Sequence, residues 1–284
     1  MKEFSTRTIQ DLEILQLLIL DEIFAQPVSR NLLFQGGTCL RWVYNGTRYS
    51  EDLDFLAKDI KAREIKDLRS TLEKGLQKKL VVQFGPGLLE ISGGEKSRAP
   101  LHAFWVKYRR EGERSKMAVK VEIQEALWAD AERSVLRQLP EVSRFLLEAV
   151  IRVPFGRSVL QSSPVQEILA EKIKALVERS YLKGRDLYDI WFMRNTLQVS
   201  TTPSLVIERT KAYPGKFVSK RSLSTFLNAP ARKKLVGALA ELHRFIPEEE
   251  LEILKEKNYN HILLAVESTV RELLEKGLHE RIIG

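Results

Sequence analysis

Two aspartates flank one leucine, Asp52-Leu53-Asp54, at the end of the segment FQGGTCLRWVYNGTRYSEDLDF, which runs from Phe34 to Phe55. Acidic residues between apolar ones are costly in a core, so this pair calls for a chemical reason. In an extended strand, residues two apart point to the same face. Asp52 and Asp54 then project together while Leu53 and Phe55 pack beneath. Two like charges that close repel unless a cation stands between them. Hard divalent ions such as Mg²⁺ accept carboxylates together with substrate phosphates. Upstream, Gly36-Gly37 is separated from the acid pair by fourteen residues, Thr38 to Glu51. A Gly-Gly turn lets a backbone approach a phosphate closely. A helix capped by Thr38 would aim its unpaired N–H groups and positive end at that phosphate. Arg41 and Arg48 add cationic reach. The set implies metal-assisted handling of a nucleoside triphosphate.

Several elements must position these groups. Thr6 to Gln26 reads as a helix, with Ile9, Leu12, Leu15, Ile19 and Ile23 at helical spacing and Pro27 after its end. NLLFQ is a short buried strand that ends in Gly36-Gly37, and DLDFLA alternates as a half-buried strand does. Asp59 to Lys79 is a charged helix with Ile65, Leu68, Leu72 and Leu76 on one face. LVVQF and LLEIS read as strands, and LHAFWVKYRR with KMAVKVEIQE as a hairpin. Trp128 to Glu148 is helix-like and VIRVPF strand-like. After Pro164 the pattern is helical, over Val165 to Tyr181, Arg185 to Asn195, Ala229 to Phe245 and Asn260 to Lys276. The boundary is expected near Gln161 to Ser163.

The order strand, Gly-Gly, helix, arginine, Ser-x-Asp-x-Asp resembles the polymerase-β-like nucleotidyltransferase superfamily. Within it the segment is similar to the AbiEii-type toxins, through Gly36, Gly37, Thr38, Leu40, Arg41, Arg48, Ser50, Asp52, Leu53, Asp54 and Phe55. Three further stretches carry the resemblance. VKVEI places Glu122 on the polar face of its strand, where the family often has Asp. PVQEILAEKIKALVER places Lys172 beside the apolar face of a helix, where it needs a phosphate or an aspartate as partner; Glu171 and Lys174 read as solvated. KGRDLYDIW puts Asp186 and Asp189 on one helix turn.

The resemblance implies an α+β fold. A polymerase-β-like nucleotidyltransferase domain with a mixed sheet, residues 1–161, is followed by a helical domain, 162–284, that contributes to the active-site cleft. It implies Asp52, Asp54, Lys172, Asp189 and Glu122 as catalytic residues. Asp52 and Asp54 hold Mg²⁺; Glu122 binds a second metal or activates the acceptor hydroxyl. Gly36, Gly37, Thr38, Arg41, Arg48, Ser50 and Asp186 contact the nucleotide. The implied reaction moves a nucleoside monophosphate from an NTP to RNA, in some relatives the 3′ end of tRNA. The setting is a toxin–antitoxin or phage-defence system with a winged-helix antitoxin. A transferase acting on a protein or small molecule, and an idle NTP- or RNA-binding module, are the alternatives.

Composition is compatible with this. The chain has 284 residues, a net charge of +8 and a pI near 9.4, which favours a polyanionic partner. Its single cysteine, Cys39, excludes an internal disulfide framework and fits a reducing cytoplasm. No apolar run approaches the ~20 residues of a membrane span. There is no Walker-type loop, and His102, His243, His261 and His279 lack zinc spacing. Two basic stretches, Lys211 to Arg221 and the hairpin tip with Arg109, Arg110, Arg114 and Lys116, read either as ordinary charged loops or as RNA contacts.

Overall fold

The structure is a computed structural model that describes residues 6–93 and 100–282. The chain divides into two compact units, and the division falls between Ser163 and Pro164.

The first unit runs through helix α1 (Thr6–Phe24), strand β1 (Leu32–Gln35), helix α2 (Gly36–Val43), strand β2 (Asp52–Ala57) and helix α3 (Ala62–Phe84). Strands β3 (Gly87–Gly93), β4 (Leu101–Arg110), β5 (Met117–Glu125) and β6 (Glu132–Val135), helix α4 (Pro140–Glu148) and strand β7 (Val159–Ser162) follow. The strands form one mixed sheet in the order β3-β4-β5-β2-β1-β7-β6. β2 runs parallel to β5 and antiparallel to β1, and β1 runs parallel to β7. One face of the sheet is covered by α1 and α3, which pack on each other and reach β3, β4 and β5. Leu15, Leu18 and Ile19 of α1 and Leu68, Leu72, Leu76 and Leu80 of α3 are buried there against Phe104, Val106, Val119, Val121 and Ile123. Each such side chain contributes about 1.5–3 kcal/mol. Leu53 and Phe55 of β2 face the same core, with the Phe55 ring 5.4 Å from Phe34 and 6.1 Å from Phe24.

Three elements differ from the sequence expectation. LVVQF is the last turn and a half of α3, not a strand. Leu80 and Gln83 continue the buried helical face, and packing outweighs the β-preference of Val81 and Val82; Gly85, at positive φ, ends the helix. VIRVPF forms no strand. Its backbone is held instead by Gln83, whose amide donates to the Val150 carbonyl (2.8 Å) and accepts from the Arg152 N–H (2.8 Å). In Trp128 to Glu148 the helix starts only at Pro140, a favoured first helical residue, and Glu132–Val135 before it pairs with β7.

The second unit is helical among its described residues: α5 (Val165–Glu178), α6 (Gly184–Trp191), α7 (Pro203–Lys211), α8 (Ala229–Leu239), α9 (Glu248–Glu256) and α10 (Asn260–Glu275). α6 is the centre, packed by α5, α8 and α10, while α7 covers α5. Among the described residues no helix is long and apolar enough to cross a membrane.

Candidate active site

The acid face begins with strand alternation. In β2, Asp52 and Asp54 are half-exposed while Leu53 and Phe55 are buried. Parallel pairing with β5 sets Asp52 opposite Lys120 and Asp54 opposite Glu122. Lys120 donates to Glu122 at 2.8 Å. Burial pulls the Lys120 ammonium down, yet Glu122, and then Asp52 and Asp54, hold it above its ordinary pKa. A lysine thus stands among three carboxylates as their counter-charge. The Glu122 carboxylate is engaged by Lys120 in this structure. Among the described residues no group of three His, Cys, Asp or Glu side chains is arranged to hold a metal ion. Asp52 and Asp54 do present carboxylates on one face, and two such oxygen donors are of the type a hard divalent ion takes.

The Gly-Gly turn is positioned against this face. Gln35, at the end of β1, pairs with Asp54, so Gly36 follows beside it. Gly36 has φ +79°, and a Cβ there would lie 2.6 Å from Asp54 Oδ2. Only glycine suits both demands. The Asp54 carboxylate accordingly sits at the positive end of α2. A Cβ at Gly37 would strike the Arg48 guanidinium and come within 2.9 Å of Ser50 Oγ. Arg48 and Ser50 are buried against the turn. The fourteen intervening residues are therefore α2 and a loop that returns over its start, closed by the Gly46 N–H on the Leu40 carbonyl (2.8 Å).

Two expected nucleotide ligands are occupied elsewhere. α2 starts at Gly36, so Thr38 is inside the helix rather than its cap. It is fully buried, and its hydroxyl donates to the Asp52 carbonyl, tying α2 to the start of β2. Arg41 donates to Glu13 at 2.7 Å and also pairs with Glu141. Both acids are buried, so Arg41 joins α1, α2 and α4 from within the unit.

In the helical unit, Lys172 is held 2.7 Å from Asp186 and 2.7 Å from Asp189, and Arg179 also pairs with Asp186. Both aspartates are buried. The partner that the Lys172 position demands is thus a pair of aspartates. Burial pushes the Asp186 carboxyl up, but Lys172 and Arg179 overcome this and bring it to about 2 from an ordinary 3.8. A depressed carboxylate stabilises the fold above its unfolded pKa and loses that contribution as pH falls through the folded one. Between about pH 4 and pH 2 the wild type is expected to lose about 2 kcal/mol more than Asp186→Asn. Urea unfolding of both proteins across that range checks this; parallel pH profiles would refute it.

Glu171 and Lys174 are not solvated as expected. Glu171 accepts from Arg209 (2.8 Å) and from the Tyr213 hydroxyl (2.8 Å), and the Lys174 ammonium lies 3.9 Å from the Tyr213 ring centroid. Tyr213 is thereby committed to the protein. In the same loop Phe217 is buried and Arg221 donates to the Leu176 carbonyl (2.7 Å), while Lys216 and Lys220 remain exposed. Tyr188 is core, its hydroxyl bound to Glu250 at 2.7 Å. Lys120 was missed as a site residue. Its signal was present: it lies on the polar alternation of the strand that carries Glu122.

Two solved structures share this fold. A candidate nucleotidyltransferase from H. pylori superposes with a TM-score of 0.55 at 18% identity, covering 96% of this chain and 98% of its own. JHP933 from Helicobacter pylori superposes with a TM-score of 0.57 at 15% identity, covering 96% of each chain. The molecule shares their α+β fold, with a mixed-sheet unit followed by a helical one. The profile of the nucleotidyl transferase AbiEii toxin family, type IV toxin–antitoxin system, matches residues 18–275, and the chain belongs to that family. No curated protein matches the sequence.

Proposed function

We propose that the protein transfers a nucleoside monophosphate from an NTP to the 3′ end of an RNA, with tRNA as the acceptor class. One observation carries the proposal: in a chain of this family, Asp52 and Asp54 share a half-exposed face beside the Gly36–Gly37 start of α2. The acceptor hydroxyl gives up its proton to solvent as its oxygen bonds to the α-phosphorus, the bond from that phosphorus to the oxygen bridging to the β-phosphate breaks, and pyrophosphate leaves. Asp52 and Asp54 would hold Mg²⁺, which when bound neutralises phosphate charge and steadies the attacking and leaving oxygens. Gly36 and Gly37 give the phosphates access to the N–H groups that open α2. Lys120 supplies a positive charge beside the acid pair and keeps Glu122 in place. Arg48 and Ser50 brace the turn. Positioning and electrostatics carry most of such catalysis. The net charge of +8 supports a polyanionic acceptor. Family membership implies an antitoxin, which we take to be a winged-helix protein, and a cytoplasmic setting follows from the RNA acceptor.

The test incubates the protein with Mg²⁺, each α-labelled NTP in turn, and total RNA. Label on tRNA-sized RNA with one or more NTPs is expected. Label on protein or on small molecules, with none on RNA, would move the acceptor to another class.

A further inference from the structure

The open face of the sheet carries more than the acid pair. Cross-strand register aligns Ser92 of β3, Trp105 of β4, Lys120 of β5 and Asp52 of β2 in one row. The alternate residues of β4, Phe104, Val106 and Tyr108, are buried on the helix-covered side. Trp105 therefore shares the face of Asp52, two strands away, or about 10 Å at the usual strand spacing. The residue is 39% exposed. Lys107 and Arg109 follow on the same face of β4, each row about 7 Å further on. Lys107 is tied to Glu90 and Ser92. Arg109 and Arg114 have no carboxylate partner among the described residues. They line a cavity of about 470 Å³ with Leu88, itself 60% exposed. An adjoining cavity of about 200 Å³ adds Lys107 and Lys116. Glu90, Glu111 and Glu113 are the acids of this region; Glu90 faces Lys107 and Lys116, and Glu113 faces Arg110.

We infer that this face is the acceptor track: Trp105 stacks a base of single-stranded RNA near its reacting end, and Arg109, Arg114 and Lys116 hold the phosphates upstream. An exposed aromatic platform beside a cationic groove is how single strands are bound without sequence readout. The charges complement a polyphosphate backbone, and the row through Trp105 and Lys120 leads to Asp52. The inference rests on the RNA-transferase reading above and adds the path by which RNA arrives.

The test uses the full chain with a fluorescein-labelled short single-stranded RNA, a tRNA and labelled NTP. Trp105→Ala is expected to weaken RNA binding and raise the acceptor KM about tenfold, with the NTP KM and the melting temperature unchanged. Trp105→Phe keeps most of the affinity. Arg109→Glu with Arg114→Glu is expected to lower RNA affinity by tenfold or more and to flatten its salt dependence. If the wild type labels RNA and these variants do so with unchanged acceptor KM, the track is wrong and the transferase reading stands. A rise in the NTP KM alone for Trp105→Ala also overturns it, since the indole would then serve the nucleotide. If the wild type labels no RNA, the reading of RNA as acceptor falls and the track with it.

Discussion

Transfer is expected to fall by about a hundredfold to a thousandfold or more when Asp54 is replaced by alanine or asparagine, and equally at Asp52. Both carboxylates emerge from one face of β2, and neither is deep enough for its loss to leave a cavity. Replacing either should therefore move stability by no more than about 1 kcal/mol. For Asp54 that change includes the loss of an acid at the start of α2, worth about 0.3–1 kcal/mol. The Thr38 hydroxyl bonds the Asp52 carbonyl rather than its side chain, so the tie between α2 and β2 survives both substitutions. Lys120 keeps Glu122 as partner in each case. Single-turnover transfer with saturating Mg²⁺, beside thermal melts, separates the two effects. A variant that melts like wild type and still transfers at near the wild-type rate would remove the acid pair from the chemistry.

Local features of this site were legible because they depend on neighbours in sequence. Alternation around Leu53 placed the acids on one face, and the Gly-Gly pair announced a turn that a side chain would block. What the turn excludes was not legible. Gly36 yields to Asp54, and Gly37 to Arg48 and Ser50, which depends on how β1 and β2 pair and how the loop after α2 returns. Arg41 shows the limit most clearly. Its place in the motif is equally suited to a phosphate or to Glu13 and Glu141, and the second acid lies a hundred residues on. Lys174 and Glu171 looked solvated because α7 was not delineated; once Arg209 and Tyr213 cover that side of α5, both become network members. The pairing of Glu122 with Lys120 was readable only as a shared strand face; the parallel register with β2 that adds Asp52 and Asp54 is non-local. The change from strands mixed with helices to helices alone was visible as a pattern, the mixed sheet came only with the family resemblance, and β6 and β7, four residues each, carry too little periodicity to outline.

Lys172 provides the second large effect, and here the structure changes the expected stability. An unpaired lysine would cost little to remove. This one lies between two buried aspartates, so Lys172→Ala should destabilise the protein by about 3–5 kcal/mol, because it strands negative charge in the interior. Asp186 retains Arg179. Lys172→Arg should recover only part of the loss, since a planar guanidinium is larger than the ammonium it replaces and meets two acids at different angles. Lost transfer in Lys172→Ala would then say nothing about chemistry by itself. The decisive protein is Lys172→Met combined with Asp186→Asn and Asp189→Asn, which removes the lysine and the acids together. Replacing a buried ionic group as a unit is often close to neutral, so its melting temperature should return toward wild type. Transfer that stays down by about a hundredfold or more in this stable protein would assign Lys172 a part beyond its ion pairs. Urea unfolding, NTP binding and single-turnover transfer on the same preparations decide it. Recovery of transfer along with stability would show that Lys172 does no more than lock α5 to α6.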